Sequence, residues 1–148
     1  MNILDKFIEG IQTSSAAETQ SYAAELAQIL PANQVLKLSG TLGTGKTTFV
    51  QGLAKAWGIE ESVKSPSFNL YSIYQGERQL IHLDAYRLNH PSQAEDLLID
   101  EFLNPPFCLA IEWPEKVEGW MKDDAWLLEM NILEDQSHTI KLKLPDQS

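Results

Sequence analysis

The chain has 148 residues, 21 acidic against 11 basic side chains and a formal net charge of −10. That length predicts one domain over residues 1–148, with a core large enough to need no staple. The acidic balance, with Arg78 and Arg87 the only two arginines, argues against an extensive direct grip on a nucleic-acid backbone, which needs many Lys and Arg contacts. Cys108 is the single cysteine and lies in the apolar run Phe107-Cys108-Leu109-Ala110-Ile111, so the pattern predicts a buried small hydrophobe and no intramolecular disulfide or thiolate zinc site. No stretch is apolar for long enough to span a membrane, and the N-terminus lacks a basic region and a long apolar core, so a cytoplasmic protein is expected.

Along the chain, residues 1–11 carry a few apolar side chains without punctuation, and the pattern does not set their state. Ser15-Ala16-Ala17-Glu18 has capping-box spacing and predicts a helix start. Tyr22, Ala23, Leu26, Ala27 and Leu30 give that helix an apolar stripe, and Pro31 follows its end. Val35 to Leu38 reads as a short strand, and Thr48 to Trp57 as a helix, with Gly58 as its stop. Ser65-Pro66-Ser67 predicts a loop, because proline disfavours helix at the residue before it. Phe68 to Tyr74, a turn at Gln75-Gly76-Glu77-Arg78, and Gln79 to Asp84 read as an antiparallel hairpin. Ser92 to Leu103 reads as a helix, closed before Pro105-Pro106. Phe107 to Ile111 predicts a strand covered on both faces and therefore parallel and central. Ala125 to Leu133 and Ser137 to Leu144 predict a second hairpin across Glu134-Asp135-Gln136. Together these elements predict an α/β fold, three-layered, with parallel core strands extended by antiparallel hairpins.

Between the first predicted strand and the second predicted helix stands Gly40-Thr41-Leu42-Gly43-Thr44-Gly45-Lys46-Thr47, which fits G-x-x-x-x-G-K-[ST] at every fixed position. Glycines let the backbone curl so that successive N–H groups face phosphate oxygens. Lys46 can reach the β- and γ-phosphates, and the Thr47 hydroxyl can hold Mg²⁺. The strand before and the helix after complete the context, since the helix N-terminus then faces the anion.

Such a loop needs an acidic partner at the end of a neighbouring strand. Asp84 and Glu112 are the candidates. Glu112 follows the more continuous apolar run and is the expected metal ligand, with Asp84 acting through water or orienting the attacking water. Pairing of Asp84 with Arg87 at a strand end is the plainer reading of Asp84. His82 interrupts the Asp84 strand, which suggests a half-exposed position. No further histidine supports a transition-metal site there. Ser65 and Ser67 suit either a γ-phosphate-sensing segment or an ordinary turn. Trp113 suits a nucleotide cover, a partner-facing side chain or a packed core side chain.

The segments Leu42 to Leu53, Val63 to Phe68, His82 to Leu88 and Ile111 to Glu115, in that order, resemble the TsaE (YjeE-type) P-loop ATPases of threonylcarbamoyladenosine biosynthesis in tRNA. The P-loop alone is generic; Ser65-Pro66-Ser67-Phe68, the His82 to Arg87 stretch and Glu112-Trp113-Pro114-Glu115 make the resemblance specific. It implies an ATP- and Mg²⁺-binding protein, weakly active alone, that serves TsaB- and TsaD-type partners and meets tRNA only through them. It also implies Lys46 and Thr47 as phosphate and metal ligands, Glu112 as the second metal ligand, functional positions at Asp84 and Trp113, and Thr19 near the nucleotide. The loop residues Gly40, Thr41, Leu42, Gly43, Thr44, Gly45 and Thr48 complete the expected nucleotide contacts. Two departures stand out: Thr41 where the family usually has Asp, and Thr44 where it usually has Ala.

Three other functions fit parts of the pattern. A small-molecule kinase usually clamps phosphates with several arginines, which this chain lacks. A GTPase would carry an Asn-Lys-x-Asp segment, which is absent. A nucleotide-dependent interaction module that does not hydrolyse ATP is the closest alternative.

Overall fold

The computed structural model describes residues 2–41, 43–64, 70–88, 90, 92–118 and 124–145. Leu42 and the segment from Ser65 to Phe68 lie outside the described residues. Among the described residues seven strands form one sheet: β1 (Ile11–Thr13), β2 (Gln34–Ser39), β3 (Tyr71–Tyr74), β4 (Gln79–Asp84), β5 (Phe107–Glu112), β6 (Trp126–Ile132) and β7 (His138–Lys143). Their order is β1-β7-β6-β2-β5-β4-β3. β2, which leads into the loop, is central and pairs parallel with β5 on one side and β6 on the other. β4 extends the parallel core beyond β5. The β3–β4, β6–β7 and β7–β1 pairings are antiparallel.

The open N-terminal segment forms α1 (Ile3–Glu9) and β1, the strand that pairs with β7 at one edge. In α2 (Ala16–Ile29) the Ser15 hydroxyl accepts from the Glu18 N–H at 3.1 Å. The Glu18 carboxylate reaches back to the Ser14 N–H at 3.0 Å, one residue before the position a capping box would use. α3 (Lys46–Ala56) begins at the loop lysine itself, earlier than the apolar periodicity indicates. Gly52 lets α2 and α3 touch: a Cβ there would stand 2.6 Å from the Gln20 carbonyl oxygen and 2.7 Å from the Ala23 Cβ.

Side chains alternate across a strand, so each sheet face takes every second residue. Leu36 and Leu38, Leu80, Cys108 and Ala110, with Leu128 and Met130, pack against α1, α2 and α3. Val35, Ile81, Leu83, Leu109 and Ile111 face the other way, under Ala94, Ile99 and Val117 of short helical pieces. Burial pushes the Cys108 thiol up to about 12. Two layers of cover on one sheet give the expected three-layer arrangement.

Two expectations need correction. The predicted helix Ser92 to Leu103 is only α4 (Ser92–Asp96), followed by a left-handed Leu98 and a 3₁₀ turn Ile99–Glu101. Ala94 and Ile99 are both buried. Five positions apart they would point in different directions on a continuous helix, so the chain breaks to bury both. The β4 strand is not half-exposed: His82 has 0% exposure. β3 shields its outer edge, and apolar layers cover both its faces.

Candidate phosphate site

The alternation that builds the core also builds the site. On β4, His82 and Asp84 share the face of Leu80; on β5, Glu112 shares the face of Cys108 and Ala110. That is the α3 face, and Asp84 and Glu112 are direct partners in the parallel register. The loop leaving β2 starts α3 on this same face. The Thr47 hydroxyl therefore reaches Glu112, with Oγ1 donating to Oε2 at 3.4 Å.

Glu112 is 5% exposed and has a second partner that the sequence reading did not assign. His82 Nε2 lies 2.5 Å from Glu112 Oε2. An ionised carboxylate only accepts, so the imidazole donates through Nε2–H. Nδ1 of His82 is buried and has no hydrogen-bond partner among the described residues. A proton on Nδ1 would be a buried unpaired donor, so the neutral Nε2–H tautomer fits the cavity. The period-2 pattern was available to place His82 and Asp84 on one face; only strand pairing shows that this face meets Glu112.

Lys46 Nζ donates to the Gly40 carbonyl at 2.5 Å and lies 3.5 Å from that of Thr41. The ammonium also stands 4.2 Å from the centre of the Trp113 ring. Burial lowers its pKa, against the raising influence of Glu112, Asp84 and Glu115. Trp113 packs partly against the apolar layer and lines the cleft, its ring 5.0 Å from that of Tyr86. Asp84 Oδ1 accepts from the Tyr86 N–H at 3.0 Å and faces the same cleft.

These walls enclose about 390 Å³, bounded by Gly43, Gly45, Lys46, Thr47 and Thr48 on one side and Asp84, Glu112 and Trp113 on the other. Thr41 is exposed, and its carbonyl accepts from the Thr44 hydroxyl at 2.9 Å, a tie within the loop that an alanine at this position would lack. Thr19 is buried against Thr13, their hydroxyls 2.7 Å apart. It lines a smaller hollow of about 260 Å³ beside Gly45 and Thr48. His138, absent from the sequence reading, borders both spaces. Among the described residues no three His, Cys, Asp or Glu side chains converge as a metal cluster. The donors beside Thr47 are hydroxyl and carboxylate oxygens, a set suited to Mg²⁺, which is usually held by one or two protein groups together with phosphates and water.

A central parallel strand, a glycine-rich turn and a helix opening on lysine and threonine define a P-loop protein of the α/β class. A family model described as "Threonylcarbamoyl adenosine biosynthesis protein TsaE" matches residues 13–141. The chain is 34% identical over 140 residues to the tRNA threonylcarbamoyladenosine biosynthesis protein TsaE of Aquifex aeolicus, covering 93% of this chain and 97% of that one. The TsaE protein of Treponema pallidum is 32% identical over 126 residues, covering 85% and 93%. The crystal structure of Bacillus subtilis YdiB superposes with a TM-score of 0.76 at 28% identity, covering 91% of this chain and 84% of that one. The chain belongs to the TsaE family of threonylcarbamoyladenosine biosynthesis.

Proposed function

We propose that this protein binds ATP with Mg²⁺ in the cleft and hydrolyses it slowly, in support of the threonylcarbamoyl transfer that modifies the adenosine next to the tRNA anticodon. The observation that carries this reading is the Thr47 hydroxyl facing Glu112 across the mouth of the loop, with Lys46 between the loop and Trp113.

The first N–H groups of a helix lack intrahelical acceptors. In α3 the Phe49 N–H bonds to the Gly45 carbonyl, so the N–H groups of Lys46, Thr47 and Thr48 precede that bond and are available to phosphate oxygens. Lys46 neutralises phosphate charge, and the low polarity around it strengthens that interaction. Thr47 and Glu112 would hold Mg²⁺, which when bound neutralises charge developing on the phosphates. His82 fixes the Glu112 carboxylate toward Thr47. Asp84, in register with Glu112, orients the attacking water. Trp113 covers the bound nucleotide from the carboxylate side.

TsaB- and TsaD-type proteins are the proposed partners, cytoplasmic like this chain. A net charge of −10 supports an indirect encounter with tRNA. Among the described residues no helix is long and apolar enough to cross a membrane.

Phosphate release, with and without those partners, tests the proposal. Lys46→Ala should weaken ATP binding about a hundredfold by removing charge-assisted contacts. Glu112→Ala should leave most nucleotide binding and remove stimulated release. A second reading, binding without hydrolysis, draws on the engagement of both carboxylates: Glu112 with His82 and Thr47, Asp84 with the Tyr86 N–H. Nucleotide-dependent partner binding without any stimulated phosphate release would select it.

A further inference from the structure

His138 opens β7, at the end of the chain's last hairpin, 94 residues from the loop it touches. Its Nδ1 lies 2.8 Å from the Thr44 carbonyl oxygen. A carbonyl only accepts, so the ring donates through Nδ1–H. The contact is close on both sides of the peptide: a Cβ on Gly45 would stand 3.2 Å from the same Nδ1. Gly45 sits there at φ 95°, in the left-handed region where glycine is at ease.

The peptide joining Thr44 to Gly45 is planar and trans, so its C=O and N–H point in opposite directions. Holding the Thr44 carbonyl on the His138 side turns the Gly45 N–H away from that side. Two other loop carbonyls are held as well: Thr41 accepts from the Thr44 hydroxyl, and Gly40 accepts from Lys46. Lys46 is expected to leave its carbonyl for a phosphate. The His138 ring borders the cleft, but its bond is to a carbonyl oxygen, which an anion does not take as a partner, so it need not break. Met130 O would stand 2.6 Å from a Cβ on Gly40, and the Ile132 Cδ1 3.8 Å from one on Gly43, so the same hairpin also backs the loop elsewhere.

We propose that His138 is a positioning residue for phosphate binding: its bond to Thr44 presets the Gly45 N–H toward the anion, so that the C-terminal hairpin, and not the loop alone, fixes the phosphate cradle. This rests on the reading of the cleft as a nucleotide site. The ligand moiety concerned is the diphosphate, independent of base, ribose and metal.

Two substitutions separate the bond from the ring. His138→Phe keeps a ring and loses the donor. His138→Asn loses the ring and keeps a donor near the Nδ1 position. Binding of ADP and of inorganic pyrophosphate is measured by calorimetry in EDTA, with thermal unfolding of each variant alongside. His138→Phe should weaken both ligands roughly fivefold to tenfold, the worth of one backbone-orienting hydrogen bond. His138→Asn should bind both within about twofold of the parent, whatever its melting temperature. Parent-like binding by His138→Phe, or weakening confined to ADP, would overturn the inference, the second because it would put His138 on the nucleoside. If the unaltered protein binds neither ligand, the nucleotide reading itself falls; if it binds both and the variants do not differ from it, only the role of His138 falls.

Discussion

The two walls of the proposed phosphate cleft are put together differently. On the loop wall, Gly40, Thr41, Thr44, Gly45 and Lys46 are held largely by near neighbours in sequence, through the Thr44–Thr41 and Lys46–Gly40 bonds. On the opposite wall, His82, Asp84 and Glu112 meet only because β4 and β5 run parallel and in register. The first wall is mostly a local conformation that a short motif can encode, with the His138 bond to Thr44 as its long-range tie. The second is a property of the sheet, and its Glu112 carboxylate bonds to a buried imidazole 30 residues away in sequence. Strain on one wall should therefore show as a change in phosphate affinity, and strain on the other as a change in turnover.

Among substitutions of the residues that support the site, breaking the sheet-built wall should have the largest effect. His82→Leu fills the space but leaves Glu112 without its donor, and should cut stimulated phosphate release about tenfold, as the loss of a charge-assisted hydrogen bond implies. His82→Gln, which can offer an N–H near the Nε2 position, should recover much of that rate. Equal loss in both variants, with ATP affinity reduced to match, would instead mean that His82 merely supports the core.

Next comes the foundation beneath both walls. Gly52→Ala forces α2 and α3 apart, since both nearest backbone and side-chain atoms lie under 3.0 Å from the new Cβ. Overpacking of this kind should cost about 1–3 kcal/mol in unfolding experiments. ADP affinity of the folded fraction should hardly change; a parallel loss would show that α3 carries its packing strain into the loop.

The smallest effect should come from within the local wall. Thr44→Ala removes one partly buried bond and should weaken ADP binding about threefold, with turnover at saturation unchanged. An unchanged affinity would leave the loop's shape to its glycines and to His138.

Much of this was legible in the residues. The strand, loop and helix from Val35 to Trp57 follow from periodicity and punctuation, and the five apolar residues before Glu112 mark β5 as a central strand. His82 is buried against expectation because a polar residue in a strand usually faces water, and the sequence does not display the layers that cover both faces of β4. The α4 region departs from the helix expected between its flanking prolines because burying Ile99 requires a break at Leu98. His138 gave no signal at all. A single histidine after a turn looks like any surface residue until β6 is found beside β2.

The sequence by itself determined the chemistry of the site: a loop able to present N–H groups, a lysine, a threonine and two carboxylates at strand ends. These are set by short-range rules, since backbone curl, helix initiation and strand alternation act over a few residues. Only the tertiary structure decided which groups meet. Parallel pairing of β4 with β5 put His82 on Glu112, and parallel pairing of β6 with β2 carried His138 to the Thr44 carbonyl of the loop. Contacts of that kind depend on strand order, and strand order is fixed by which faces of the whole sheet can be buried together.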